Sequence, residues 1–443
     1  MQYHLDGFRP GDPEMLPAAP GRGPGAPMLD EVDVLIAGSG PAGTCLFAQL
    51  SQFPEIETML VERKPGQAHL VHTDIESSAP AGGFVSVGTD ITAAAALGNA
   101  YTGIITFAAR TTIGTPAGGN IASGNGDHGV AVVGVDALVD GNAIGTDHTG
   151  TSALPNTGVG VISWADNTTI GTPGVGNLVS GNGASGVYLD GASAIVQGNL
   201  IGTDSAGSAA LGNGFYGVAI FGSATDATIG GTAAGAGNVI SDNAQHGIET
   251  RATGTVIDGN LIGTSADGTT ALGNAIDGIH LTATAANAVV GSPGVGNTVS
   301  ANGQDGIGIW GPDVTVVGNQ LGTDLTGTVA LGNVRAGLVT WGTNTVIGTP
   351  VAGNLASGNG DGIVVIGQGA MVENNLIGTD VTGQQVLGNL LKGVFVLDGT
   401  GTVARNAIAN NGDSGVSVVG TANATITDNT ISDNAGLGID LED

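Results

Sequence analysis

The sequence predicts an all-β fold: a parallel β-helix of about twelve coils over residues 83–443, preceded by one βαβ unit of dinucleotide-binding type. Three observations predict it. A Gly-(Val/Ile/Leu) mark recurs at Gly103, Gly129, Gly158, Gly186, Gly217, Gly247, Gly278, Gly306, Gly337, Gly362, Gly393 and Gly415, in steps of 22 residues (Gly393 to Gly415) to 31 (Gly186 to Gly217). Each step holds three short apolar runs punctuated by Gly, Asn, Asp, Ser and Thr, with no helical pattern after them. Ahead of the repeats, the apolar run 32–37 leads into Gly38-Ser39-Gly40-Pro41-Ala42-Gly43.

Taken in order, residues 1–30 carry Pro10, Pro13, Pro17, Pro20, Pro24 and Pro27 and read as an extended arm. Residues 31–66 read as a strand over 32–37, a helix over 42–53 with Leu46, Leu50 and Phe53 inward, and a strand over 58–61 ending at Glu62. In such a unit Gly38 permits the tight turn, Gly40 lets the backbone approach a pyrophosphate, and Gly43 lets the helix pack on the sheet. Glu62, 19 residues after Gly43, stands where an acid takes ribose hydroxyls. Residues 67–82 form a junction, and the solenoid begins mid-repeat near Val87.

Composition limits the functions open to this chain. Aromatics make up only 3% of 443 residues, which suits a narrow core filled by stacked aliphatic side chains. The 82 glycines follow no Gly-X-Y period, so collagen is excluded. A net charge of -29 makes nucleic acid a poor partner. The single cysteine, Cys45, allows no internal disulfide. No apolar stretch approaches membrane-spanning length, and the first residues show no secretory h-region, so the expected location is the cytoplasm, without membrane insertion.

Within the solenoid, alternate coils carry Gly-Thr-Asp-x-x-Gly-x-x-Ala-Leu-Gly-Asn insertions starting at Gly88, Gly145, Gly202, Gly322 and Gly378, with Ser265 replacing the Asp in the one at Gly263. They should form a ridge repeating every second coil, about 10 Å apart. Asp147, Asp204, Asp324 and Asp380 recur in register there, and capping of their own turns is the expected role. One carboxylate per loop is too few for calcium. Asn177, Asn199, Asn238, Asn260, Asn297, Asn319, Asn354 and Asn375 recur at one place in the coil, where each amide can bond the next coil.

In the first strand of a coil, positions one and three after the glycine should point inward and positions two and four outward. The fourth column then collects Phe107, Phe221, Arg251, Trp310 and Trp341, and the second sets Glu249 beside His280 on adjacent coils. Glu249, Arg251, His280, Trp310 and Trp341 are the candidate ligand-binding residues: rings can cover the apolar face of a pyranose while polar groups take its hydroxyls. Beyond residue 80 the basic residues are Arg110, Arg251, Arg335, Lys392 and Arg405, and no coil sets a tight acid cluster beside one. The histidines are dispersed, so no metal site and no catalytic residue is expected.

Two resemblances extend this reading. MQYHLDGFRPGDPE, VDVLIAGSGPAG and VERKPG, over residues 1–66, resemble the opening of flavin-dependent aromatic hydroxylases of the phenol hydroxylase and 3-hydroxybenzoate 4-monooxygenase group. That resemblance implies FAD, its ADP half held by Gly38, Gly40, Gly43 and Glu62. Past residue 66 the family's flavin loop is replaced by Gly66-Gln67-Ala68-His69-Leu70-Val71, so stable FAD binding is not expected. The repeats of 83–443 resemble right-handed parallel β-helix proteins of the pectate-lyase-like superfamily, a type usually secreted or surface-exposed. The resulting expectation is a non-catalytic interaction rod contacting a polysaccharide or cell-surface glycan, fused to an incomplete FAD-binding fragment. The alternatives are a flavin-dependent monooxygenase and a polysaccharide lyase or hydrolase.

Overall fold

The computed structural model describes three short N-terminal strands by their backbone and then residues 85–441, with gaps at 90–95, 97 and 116–117. Strands β1 (Val34–Ala37) and β2 (Thr58–Lys64) pair in parallel, Val34 opposite Thr58. This is the pairing a βαβ unit requires. Residues 67–72 of the expected junction form β3 (Gln67–His72), which folds back antiparallel on β2 and sets His69 opposite Glu62. The expected helix over 42–53, with Gly38, Gly40 and Gly43, lies outside the described residues.

From residue 85 the chain winds as a right-handed parallel β-helix with three long sheets of 13, 13 and 12 strands. One coil shows the plan. A front strand, Val218–Ile220, is followed by a second strand, Thr228–Gly230, and a third, Val239–Ile240. The next coil repeats it with Ile248–Thr250, Val256–Asp258 and Leu261–Ile262. Each strand pairs in parallel only with its counterparts one coil before and after, as in Val218 opposite Ile248 and Ile229 opposite Ile257. Thirteen rungs at about 4.8 Å span roughly 58 Å.

Such short strands persist because, up to Val416, most of them contribute one or two fully buried aliphatic side chains to a continuous column. Ile220, Ile229, Ile240, Ile248, Ile257 and Ile262 are all completely buried, and one apolar cluster runs from Val87 to Val416. Burying each such side chain contributes about 1.5–3 kcal/mol.

Register corrects one sequence mark. Val161 pairs with Val130 on one side and Val187 on the other, so the glycine that opens this coil is Gly160, not Gly158. Both glycines precede a valine, and only strand pairing separates them. The shift brings Trp164 into the fourth outward column.

The asparagines form two buried ladders. In the expected one, the Asn260 side-chain amide and its own backbone N–H both donate to Asn297 Oδ1 at 2.9 and 3.0 Å. Asn260 Oδ1 accepts the same pair from Asn238. A second ladder, Asn213 to Asn243 to Asn274 to Asn302, runs beside it with amide contacts of 2.9–3.0 Å. Each buried carboxamide satisfies coil-turn backbone groups that have no strand partner.

The inserted loops project from the third sheet and touch one another. Ser205 N–H donates to Gly150 O at 2.9 Å, Ala266 N–H to Gly207 O at 2.8 Å, and Leu325 N–H to Gly268 O at 3.0 Å. The ridge is therefore continuous, not a row of isolated loops two coils apart. Its aspartates cap their own turns. Asp204 Oδ1 accepts from the Ser208 and Ala209 N–H groups at 2.7 and 3.0 Å, and Asp380 Oδ1 from Gln384 and Gln385 at 2.9 and 3.0 Å. Ser265 does the same through its hydroxyl, which accepts from Thr270 N–H at 3.0 Å.

Candidate functional site

The outer face of the front sheet is where coils stop resembling one another. Three columns face outward. The residue before the opening glycine forms the first: Tyr216, His246, Asp277 and Asp305, held by backbone bonds such as Gly247 N–H to Asp277 O at 2.9 Å. The second holds Ala219, Glu249, His280 and Gly308, paired in register as expected for Glu249 and His280. The third holds Phe221, Arg251, Thr282, Trp310 and Trp341, held by bonds such as Arg251 N–H to Ile220 O and Trp310 N–H to Leu281 O, both 2.8 Å.

Because successive coils lie about 4.8 Å apart, close to the thickness of stacked rings, aromatics on neighbouring coils meet face to face. Tyr216, His246, His280, Trp310 and Trp341 form an unbroken ladder with centroid separations of 5.9, 4.3, 4.3 and 4.2 Å. Trp310 and Trp341 lie only 13° from parallel. Gly308 makes room for the indole: a Cβ there would stand 2.7 Å from Trp310 Cζ3. Phe221 joins at the side, edge-on to Tyr188 and Tyr216 and capped by the Arg251 guanidinium 4.0 Å above its centroid.

Charged groups run alongside. Glu249, expected to face outward, is almost fully buried at 5% exposure and bound to Arg251 at 3.3 Å. Asp277, also buried, takes His280 Nδ1 at 2.9 Å and His246 Nδ1 at 3.3 Å on the same oxygen. Its other oxygen accepts the Asp305 N–H at 3.0 Å. Asp305 faces Arg335 at 3.6 Å. Within one coil Glu249 meets Arg251, and neighbouring coils bring His246, Asp277, Asp305 and Arg335 beside one another.

This crowding shifts the protons. Burial works to raise the Asp277 carboxyl, yet the His246 and His280 imidazoles beside it and the Asp305 N–H outweigh it and hold it at about 2. Burial and then the neighbouring Asp277 charge push Asp305 up to about 6, against the pull of Arg335. Burial, followed by the hydrogen bond and charge of Glu249, raises the Tyr216 hydroxyl to about 12.

All five solenoid candidates therefore lie on one face, but their presentation differs from expectation. Trp310 and Trp341 stack on each other, so the ladder shows ring edges to solvent along most of its length. His246, Asp277, Asp305 and Tyr216 are the additions that sequence reasoning missed. They sit in the column before the glycine, which the alternation rule left unassigned. Trp164, 44% exposed, was missed through the Gly158 register. Glu62 lies in β2, and the three glycines of the fingerprint fall outside the described residues.

Comparisons with known proteins match these parts separately. Residues 336–443 match the family described as right handed beta helix region. The N-terminal part is similar to 3-hydroxybenzoate 4-monooxygenase of Comamonas testosteroni, 51% identical over 77 residues, which are 17% of this chain and 12% of that protein. Among solved structures, the periplasmic alginate epimerase AlgG is similar at 12% identity and a TM-score of 0.45, covering 88% of this chain and 89% of that one. The Dettilon tailspike protein is similar at 14% identity and a TM-score of 0.35, covering 74% and 61%. The A-module of an Azotobacter vinelandii mannuronan C-5 epimerase, AlgE4, is similar at 13% and 0.34, covering 81% and 87%. Among the described residues, no helix is long and apolar enough to cross a membrane. The chain is a right-handed parallel β-helix, matched over residues 336–443 to the right-handed beta-helix region, and it carries near its N-terminus a segment similar to a short piece of a 3-hydroxybenzoate 4-monooxygenase.

Proposed function

We propose that the front sheet between Tyr216 and Trp341 is a glycan-contacting surface and that the protein acts as a non-catalytic interaction rod. The supporting observation is the ring ladder, Tyr216 to Trp341, flanked by two ionic pairs in which buried acids hold exposed arginines. Ring edges and polar groups at fixed spacing along one direction suit an extended ligand made of repeating units. A neutral glycan fits better than an anionic one. Arg251 and Arg335 are each already neutralised by a carboxylate, and the whole chain carries a net charge of -29. Glycan-array binding by the purified protein tests this reading. Binding to neutral glycans that disappears in the Trp310→Ala/Trp341→Ala variant supports it, and no binding to any glycan removes it.

Two other readings have a specific observation behind them. A polysaccharide lyase or hydrolase is favoured by the acids, imidazoles and guanidinium gathered around Asp277. Release of reducing or unsaturated sugar ends from a bound glycan would establish it. FAD binding through Gly38, Gly40, Gly43 and Glu62 is favoured by the parallel β1–β2 pair and by the 51% identity. Against a held flavin, the small sheet has the order β1-β2-β3 among the described residues, without a parallel wing on the far side of β1. We read this segment as one that does not retain FAD stably. Near-stoichiometric flavin absorbance in the purified protein would reverse that reading.

A further inference from the structure

We infer that His246, Asp277 and His280 form a binding site for one first-row divalent transition-metal ion of the zinc type, with Glu249 orienting His246 from behind. The inference is independent of what the face binds. Two columns on two coils make a square: His246 and Glu249 on one coil, Asp277 and His280 on the next. One donor atom from each of His246, Asp277 and His280 lies within 4.8 Å of the other two. Asp277 Oδ2 is 3.3 Å from His246 Nδ1 and 2.9 Å from His280 Nδ1. Ligands around a tetrahedral zinc at bond lengths of about 2.0–2.1 Å stand roughly 3.3 Å from one another, close to the Asp277–imidazole separations here.

The protonation pattern suits this ligand set. The Asp277 N–H donates to His246 Nδ1 at 3.2 Å, which puts the ring's lone pair on that nitrogen and its proton on Nε2. Nε2 faces Glu249 Oε2 at 3.9 Å, and Glu249 is itself held by Arg251. Imidazoles that hold a metal through one nitrogen commonly point the other at an anchored carboxylate, which fixes the ring's orientation. Coordination through His280 Nδ1 replaces its hydrogen bond to Asp277 Oδ2, and the ring then carries its proton on Nε2. Two imidazoles and one carboxylate favour zinc, cobalt or nickel over calcium or magnesium, which need more oxygens. Backbone pairing on both coils fixes the four Cα positions in advance.

The test uses the full-length protein dialysed against a chelator and titrated with cobalt(II), then with zinc(II) in competition. The expected result is one equivalent of cobalt, with visible d–d absorption that zinc abolishes. His280→Ala should weaken binding at least tenfold while the far-UV circular dichroism stays unchanged. Asp277→Asn provides a second variant with the shape of the carboxylate kept, and it should weaken binding similarly. His128→Ala, on the same sheet but outside the square, should leave binding unchanged. No saturable cobalt binding overturns the inference. So does binding that both site variants retain, or that His128→Ala weakens as much as they do.

Discussion

The ridge and the front face are built from the same repeat, and they treat their polar residues in opposite ways. On the ridge, each loop repeats the last, and its Asp or Ser is consumed by the loop's own N–H groups. On the front face, the outward columns change from coil to coil: Tyr216 gives way to His246, then Asp277, then Asp305. Several of these residues bond across coils, to partners about 30 positions away in sequence. In a solenoid, residues that repeat are the ones the winding needs, and departures from the repeat mark the surface free to acquire a ligand.

The largest expected effect breaks the structural side of this contrast. Asn260→Ala removes the acceptor for the Asn238 amide and backbone N–H and the donor to Ile229 O, Asp258 O and Asn297 Oδ1. With several buried groups orphaned, we expect about 3–5 kcal/mol of local destabilisation. Hydrogen exchange in the two adjoining coils measures it, since a long array need not unfold in one step. Ile240→Ala, a cavity in the core column, should cost about 2–5 kcal/mol by the same measurement.

Gly308→Ala probes the front face without removing a ring. The new methyl would displace the Trp310 indole from its place between His280 and Trp341. A cost of about 1–3 kcal/mol is expected, with a changed near-ultraviolet circular dichroism spectrum and unchanged far-ultraviolet spectrum. A near-ultraviolet spectrum identical to that of the parent protein would mean that the ladder does not depend on this gap.

Smaller effects belong to the ridge. Asp204→Ala should cost about 1 kcal/mol, read as faster exchange at the Ser208 and Ala209 amides alone. Acid should loosen the same loops. At Asp147 and Asp324 burial works to raise the carboxyl, but hydrogen bonds from neighbouring hydroxyl and N–H groups outweigh it and hold each below 3.8. A carboxyl with a depressed folded value stabilises the loop above 3.8 and loses that contribution as pH falls through the lower value. Faster exchange at the Thr328 and Val329 amides below pH 3.8, with the Asn ladder still protected, is the expected outcome.

The winding was legible in the sequence because a single glycine and one or two aliphatic residues decide each strand. The turn caps and the first Asn ladder were legible because they recur at fixed offsets. The second ladder escaped notice because Asn213, Asn243, Asn274 and Asn302 sit alternately in an inserted loop and in a plain turn, so they do not look like one series. The cluster around Asp277 was hidden for a different reason. His246 and Asp277 are 31 residues apart, and only the exact register of two coils makes them neighbours. Gly158 and Gly160 show how small that margin is, since a two-residue slip removes Trp164 from its column.

Hydroxyl-radical footprinting with and without a bound glycan tests the front-face account most directly, because it reads both regions in one experiment. The account predicts protection of Tyr216, His280, Trp310 and Trp341 on binding, with His148 and Leu325 on the ridge modified as before. Protection confined to the ridge, or a front face equally reactive in both states, would contradict it.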